Sequence, residues 1–245
     1  MYINHTNSTN DWLKLHPDCD AVWTTWQTAG RGQAGNAWES ENGKNVLLSL
    51  RLRNPQVDVA NQFLLNMAVS LAVQEVVARL LPEHPVTVKW PNDIYVDNRK
   101  ICGILIENTI ADAGLAESIV GIGLNVNQTT WLSDAPNPVS LKQLTQLDYD
   151  LETVYNDLCA SILRNLPLLS QPALLKQRYL ACLFRFGVQA RFAKREVSLT
   201  PSRVLQSAPD AFEATITDIT PQGELVLDTA DGPQIFHFKQ IQFVL

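Results

Sequence analysis

The 245-residue chain carries little charge for its size and no run of it: charged residues make up 18%, and 19 Lys plus Arg stand against 25 Asp plus Glu, a formal net charge of −6. A phosphate backbone is held by clustered Lys and Arg, so the composition disfavours nucleic acid as a partner. Only four cysteines occur, Cys19, Cys102, Cys159 and Cys182, and no two form a Cys-x-x-Cys pair. They are too sparse for a disulfide framework and too scattered for a structural metal or dithiol chemistry. The histidines, His5, His16, His84 and His237, are equally dispersed. Residues 59–74, as long as any uncharged segment in the chain, are broken by Asn61, Gln62, Asn66 and Ser70 and fall short of the ~20 apolar residues that cross a bilayer. Residues 1–11 are polar, without the charged start and apolar stretch of a secretory signal. The expectation is a reduced, cytoplasmic protein with neither a membrane partner nor a structural metal.

What is present is apolar material for a sizeable core, 46% of residues. At ~100–200 residues per domain, the length suits one large domain, or a medium one plus a small one. Residues 46–53 read as a strand and 58–81 as one long buried helix stopped by Pro82. Strands follow at 86–90, 94–96, 101–107 and 120–126, with a turn at Asp97-Asn98, then helices at 151–164 and 172–183. Strands in succession with helices between groups of them indicate an α+β sheet protein. From Gly187 the pattern turns short and β-rich, at 188–192, 212–219, 225–227 and 235–238. Turns at Pro201, Pro209, Pro221-Gln-Gly223 and Asp231-Gly-Pro233 separate these strands, which suggests a small barrel. The predicted division is 1–186 and 187–245.

Gly30-Arg-Gly-Gln-Ala-Gly35 fits the Gly-x-Gly-x-x-Gly spacing of a dinucleotide loop. Such a loop must open a helix and meet an acidic residue ~20 positions later, whereas here the chain runs polar through residues 36–45 into a strand. Three glycines that merely turn the chain remain the plain alternative. Arg31 raises the stakes, because a guanidinium embedded between glycines can fork onto carboxylate or phosphate oxygens. Trp38, three residues past the last glycine, offers a flat wall for a ring.

Lys89-Trp-Pro-Asn-Asp93 ends one strand and opens the next, with a cation and a carboxylate at its two ends. The turn at Asp97-Asn98 can fold Lys100 back beside Asp93. The bland alternative is a surface hairpin with solvated charges. Gly121-Ile-Gly-Leu-Asn-Val-Asn127 is a glycine-broken strand ending in amides.

In order along the chain, Asn7-Ser-Thr-Asn10, Gln27-Thr-Ala-Gly-Arg-Gly32, Lys89 to Asp93, Lys100-Ile-Cys-Gly-Ile-Leu-Ile-Glu107 and Gly121 to Asn127 resemble biotin protein ligases. The resemblance is strong over residues 4–130 and looser beyond, resting there mainly on Gly223-Glu-Leu-Val-Leu227. It implies a mixed-sheet catalytic domain of the biotin/lipoate ligase type followed by a small SH3-like β-barrel. It also implies two steps: biotin and MgATP give biotinyl-5′-AMP, and a lysine of a biotin carboxyl carrier domain then takes the biotinyl group. Arg31, Lys100 and Asp93 would be catalytic. Ser8, Thr9, Asn10, Gln27, Arg31, Gly32, Gln33 and Lys100 would contact biotin, while Trp38, Asn92, Asn125 and Trp131 would contact the nucleotide. Mg²⁺ would ride on the ATP phosphates without dedicated protein ligands. A lipoate or octanoate ligase or transferase, and a non-catalytic sensor of biotin or nucleotide, are the rival readings. No room is seen for a ~60-residue winged-helix domain ahead of the catalytic residues, so operator binding is not expected. An edge strand could pair two copies into a homodimer, though none is singled out.

The family loop often reads Gly-Arg-Gly-Arg-Arg-Gly, and Gln33 and Ala34 replace its last two arginines here. The departure bears on retention of the adenylate. Gln33→Arg is expected to slow release of free biotinyl-AMP in a chase assay; equal or faster release would contradict this.

Overall fold

Alternation along the strands builds a sheet that is covered on both faces. In the computed structural model, residues 1–112, 114–133, 135–194 and 211–245 are described. The first half of the chain runs α1 (Thr9–Leu15), β1 (Ala21–Thr24), β2 (Val46–Arg53), α2 (Phe63–Leu80), β3 (Val86–Lys89), β4 (Asp93–Val96), β5 (Arg99–Ala111) and β6 (Gly114–Leu124). The strands form one sheet in the order β1-β2-β6-β5-β4-β3, and every pairing is antiparallel. On one face Val46, Leu48, Val88, Ile94, Cys102, Ile104, Val120 and Ile122 are buried against α2. Helices α3 (Leu141–Thr145), α4 (Leu151–Asn165) and α5 (Pro172–Ala181) follow, and α4 and α5 pack on α2.

By length and composition Val59–Leu80 would suffice to cross a membrane, contrary to the expectation from its polar interruptions. Here it is the core helix: Leu65, Val69, Ala72, Val73, Val76 and Val77 are all buried. The helix proper starts at Phe63, after a 3₁₀ turn at Val59–Asn61, later than the predicted 58. Both outer strands of the sheet have partners. Residues 1–6 run beside β1, with Ile3 N donating to Trp23 O at 3.0 Å, and β3 exchanges bonds with Cys182 and Phe184.

The second sheet comprises β7 (Gln189–Lys194), β8 (Ala211–Ile219), β9 (Leu225–Thr229), β10 (Gly232–Phe236) and β11 (Ile241–Phe243), in the order β10-β9-β8-β7-β11. The predicted small β unit is present, with its last strands shifted: 232–236 replaces 235–238, and β11 was not foreseen. Among the described residues β10 and β11 do not pair, so closure into a barrel is not part of the observed ladder. The turns expected at Pro201 and Pro209 lie outside the described residues.

One apolar core runs through both sheets. Phe184 lies between Tyr95, 5.7 Å away, and Phe243, 5.8 Å away, between ring centroids. Trp90 Nε1 donates to Gly223 O at 2.8 Å, and Phe63 packs so closely on Gly223 that a Cβ there would come within 2.3 Å of its ring. Gly223 also has φ +89°, which disfavours any side chain. Gly223→Ala therefore combines overpacking with a backbone penalty and is expected to cost about 2–4 kcal/mol, read as a lower urea midpoint. A loss under about 0.5 kcal/mol would show that the joint is not tightly packed.

Candidate active site

The second face of the sheet carries chemistry instead of bulk. Register places Lys89, Asp93, Gly103, Leu105, Glu107, Gly123, Gly121 and Ser49 on it in adjacent rows, since Asp93 pairs Gly103, Gly103 pairs Gly123 and Gly121 pairs Ser49. Strict alternation would send Lys100 to the opposite face from Gly103. A bulge between the Ile94–Cys102 and Tyr95–Lys100 pairs inserts Ile101 as an extra residue. That extra residue returns Lys100 to the face shared with Asp93. Lys100 Nζ lies 2.7 Å from Asp93 Oδ1 and 5.4 Å from the centroid of the Trp38 ring. The expected fold-back of Lys100 onto Asp93 is observed.

The glycines make this face a floor. A Cβ at Gly123 would lie 2.6 Å from the Trp38 ring, one at Gly103 would lie 2.8 Å from it, and one at Gly121 would lie 2.3 Å from Asn10 Oδ1. Only backbone fits beneath those side chains. The glycine loop itself is a small hairpin, closed by Trp38 N to Gly30 O at 2.8 Å and Gly32 N to Asn36 O at 2.7 Å. Its stem delivers Trp38 onto the floor.

Helix α1 supplies the opposite wall, and the sequence pattern did not reveal it. Ser8 caps it, accepting from Asp11 N at 3.4 Å. Leu13 packs with Val22 and Ile119, and buried Arg51 of β2 donates to the carbonyl of Leu13 at the helix's last turn, where a cation is favoured. Thr9 N and Oγ1 both donate to Gln27 Oε1, at 2.7 and 3.0 Å, and Ser49 Oγ lies 2.7 Å from Thr9 Oγ1 and 2.6 Å from Asn10 Oδ1.

Together these groups line a cavity of about 610 Å³. Ser8, Thr9, Asn10, Gln27, Arg31, Gly32, Gln33, Trp38, Asn92, Asp93 and Lys100 all border it. Asn92 is buried there and bonds Ile104 O, so it braces β4 on β5. Gln33 Oε1 and Trp38 Nε1 are buried without a hydrogen-bond partner. Two residues expected at the nucleotide do not border this cavity. Asn125 is buried, donating to Val139 O at 3.0 Å, and it and Trp131 lie outside the cavity's lining. Lys89 borders the cavity and stacks over the rings of Tyr95 and Phe243, at 5.0 and 4.9 Å, beside Phe238 and Lys239 of the second sheet's margin. Burial pushes the Cys102 thiol well up, an inert state for a thiol. Among the described residues no group of three or more His, Cys, Asp or Glu is arranged to hold a metal ion.

The residues missed in the sequence are the counter-ions of Arg31. Its guanidinium contacts Asp11 Oδ1 at 2.5 Å and Glu107 Oε2 at 3.2 Å, while Lys14 Nζ and Asn10 Nδ2 each reach Glu107 at 2.7 Å. Glu107 ends the Lys100 motif, and its period-two spacing from Gly103 was the available signal.

A family model described as the biotin/lipoate A/B protein ligase family matches residues 2–125, and the chain belongs to that family. The bifunctional ligase/repressor BirA of Escherichia coli is 38% identical over 107 residues, 44% of this chain and 33% of that protein. The biotin--[acetyl-CoA-carboxylase] ligase of Mycobacterium tuberculosis is 36% identical over 120 residues, 48% of this chain and 43% of that one. The matched region thus spans about a third to two fifths of these relatives. Among solved structures, a biotin protein ligase from Aquifex aeolicus in complex with biotin and ATP superposes with a TM-score of 0.77 at 22% identity, covering 100% of this chain and 98% of that one. That likeness is one of fold.

Burial alone would raise the Glu107 carboxyl; the bonds from Lys14 and Asn10 and the charges of Lys14 and Arg31 outweigh it and hold it below the ordinary value. Such a group adds stability above its unfolded pKa, ~4.3, and loses that contribution as pH falls through its folded pKa. The native protein is therefore expected to exceed Glu107→Gln in urea midpoint at pH 6, with the gap shrinking toward pH 3.5. A gap that stays constant or widens would contradict the ion cluster.

Proposed function

We propose that this chain is an ATP-dependent biotin protein ligase. In the first step a biotin carboxylate oxygen attacks the α-phosphorus of ATP, the α–β bridging bond breaks, and pyrophosphate leaves. In the second, the ε-amine of a lysine on a biotin carboxyl carrier domain attacks the acyl carbon of biotinyl-5′-AMP. AMP leaves with the bonding electrons and the amine gives up a proton.

The observation that carries the reading is that Arg31 and Lys100, from two separate elements, border one glycine-floored cavity with Asp93. Joining two anions requires positive charge placed in advance at the reacting phosphorus. Arg31 and Lys100 supply it once each exchanges its carboxylate partner for the incoming anion. Release of Lys100 leaves the Asp93 carboxylate to orient the acceptor amine and take its proton. Ser8, Thr9, Asn10, Gln27 and the Gly32–Gln33 backbone suit biotin's ureido ring and carboxylate, and Trp38 suits adenine. Mg²⁺ bound to the nucleotide phosphates would offset their charge; the cavity's amides, hydroxyls and cations fit phosphate oxygens better than a dedicated metal cage. Under this reading the protein acts in the cytoplasm on carboxylase carrier domains, with no nucleic acid or membrane partner, and residues 187–245 form a unit beside the catalytic residues 1–186.

The test incubates the protein with MgATP, a carrier domain, and biotin, lipoate or octanoate, and reads label on the carrier lysine. Transfer of biotin alone is expected. Transfer of lipoate or octanoate, or binding without turnover, would overturn the reading. Lys100→Ala should slow adenylate formation by on the order of 2 kcal/mol, about 30-fold, and Asp93→Asn should slow transfer more than formation. An unchanged rate in Lys100→Ala would remove it from the mechanism.

A further inference from the structure

The segment that follows β6 is tied to the glycine loop through one carboxylate. Glu39 directly follows Trp38, and both of its oxygens are engaged. The backbone N–H of Leu132 donates to Oε1 at 2.8 Å, and that of Ser133 donates to Oε2 at 2.8 Å. Consecutive backbone donors on the two oxygens of one carboxylate make a charge-assisted fork, roughly twice as strong as neutral bonds.

Buried Gln128 completes the tie. Its amide nitrogen donates to Glu39 Oε1 at 3.3 Å and to Thr130 O at 2.8 Å, while its oxygen accepts from Glu41 N at 3.0 Å and Asn45 Nδ2 at 2.6 Å. Burial would raise the Glu39 carboxyl, yet the bonds from Ser133, Leu132 and Gln128 outweigh it and leave it below the ordinary value.

Farther along, the chain is fastened again, this time to Lys100. Lys100 N donates to Asn137 O at 2.8 Å, and Val139 N donates to Lys100 O at 3.0 Å. The same connection is therefore fastened first to the residue after Trp38 and then to Lys100 of β5, whose side chain faces the Trp38 ring in the cavity. Glu39 itself stands outside the cavity's lining. It holds Leu132 and Ser133 next to Trp38, which does border the cavity, from outside that lining.

We propose that Glu39 is a positioning residue that keeps residues 128–133 against the glycine loop and thereby sets how long the cavity retains its activated intermediate. The inference rests on the ligase reading above and adds to it a division of labour. Forming the mixed anhydride depends on Arg31 and Lys100, which have their own carboxylate partners. Keeping the anhydride from water until an acceptor amine arrives depends on the segment that Glu39 fastens beside Trp38.

The full chain is charged with biotin and MgATP, and two rates are followed: first-turnover pyrophosphate release, and dissociation of labelled biotinyl-AMP into excess unlabelled adenylate. Glu39→Ala is expected to speed dissociation at least about tenfold, and Glu39→Gln, with one acceptor oxygen and no charge, by less. First-turnover release should fall by less than about threefold in either variant. In the ligand-free protein, amide hydrogen exchange at Leu132 and Ser133 should quicken in Glu39→Ala while β5 and β6 keep their protection. Unaltered dissociation from both variants, or equal changes in formation and dissociation, would overturn the proposal. Absence of adenylate from the native protein would sink the ligase reading and this inference with it, whereas normal adenylate with unaltered release sinks the Glu39 role alone.

Discussion

Arg31 and Lys100 come to the cavity already paired with carboxylates, and the surrounding structure is arranged around that pairing. Two cations brought to one small cavity repel each other, so each needs a partner before any ligand is bound. Asp11 and Glu107 hold Arg31, and Asp93 holds Lys100. These pairs are partly exposed to water, where an ion pair contributes little net stability. That weakness suits the purpose. A pair worth several kcal/mol would have to be broken before an incoming carboxylate or phosphate could take its place.

The fold supplies the geometry from remote causes. Helix α2 and the apolar face of the sheet fix the register, and register decides which side chains reach the second face. A single bulge residue, Ile101, turns Lys100 onto that face. Three glycines leave it flat enough for Trp38 and Asn10 to lie against backbone. Arg51, buried beneath α1, ties the end of that helix to the sheet and so holds Asp11 where Arg31 can meet it. The second sheet joins through Trp90, Gly223 and Phe63, which sets the Lys-Trp-Pro-Asn-Asp turn between the two units.

Much of this was legible in the residues. The strand at β2, the long helix ending before Pro82 and the hairpin that returns Lys100 to Asp93 follow from period and turn chemistry. The polar stretch after the glycine motif pointed away from a following helix, and the motif closes a hairpin and opens no long helix. What escaped were short elements and long-range partners. Helix α1 has seven residues, too few for periodicity to register, and its one cue was the Ser8-x-x-Asp11 cap. Strands β5 and β6 run longer than their apolar segments, because backbone pairing continues past Glu107 after the apolar pattern has faded. Glu107 entered only as the last residue of the Lys100 motif and Glu39 carried no motif at all, and only folding shows which donors they face. Asn125, expected at the nucleotide from its motif, and Trp131, expected there from its loop, do not border the cavity, and Asn125 fastens the chain to Val139.

The most direct test of the account is a crystal structure of this chain with biotinyl-5′-AMP bound. In it Arg31 is expected to leave Asp11 and Glu107, Lys100 to leave Asp93, and both to lie within hydrogen-bond distance of the phosphate or the acyl oxygen, about 2.7–3.2 Å. If both cations kept their present carboxylates while the adenylate was bound, the claim that they converge on the reacting centre would be contradicted.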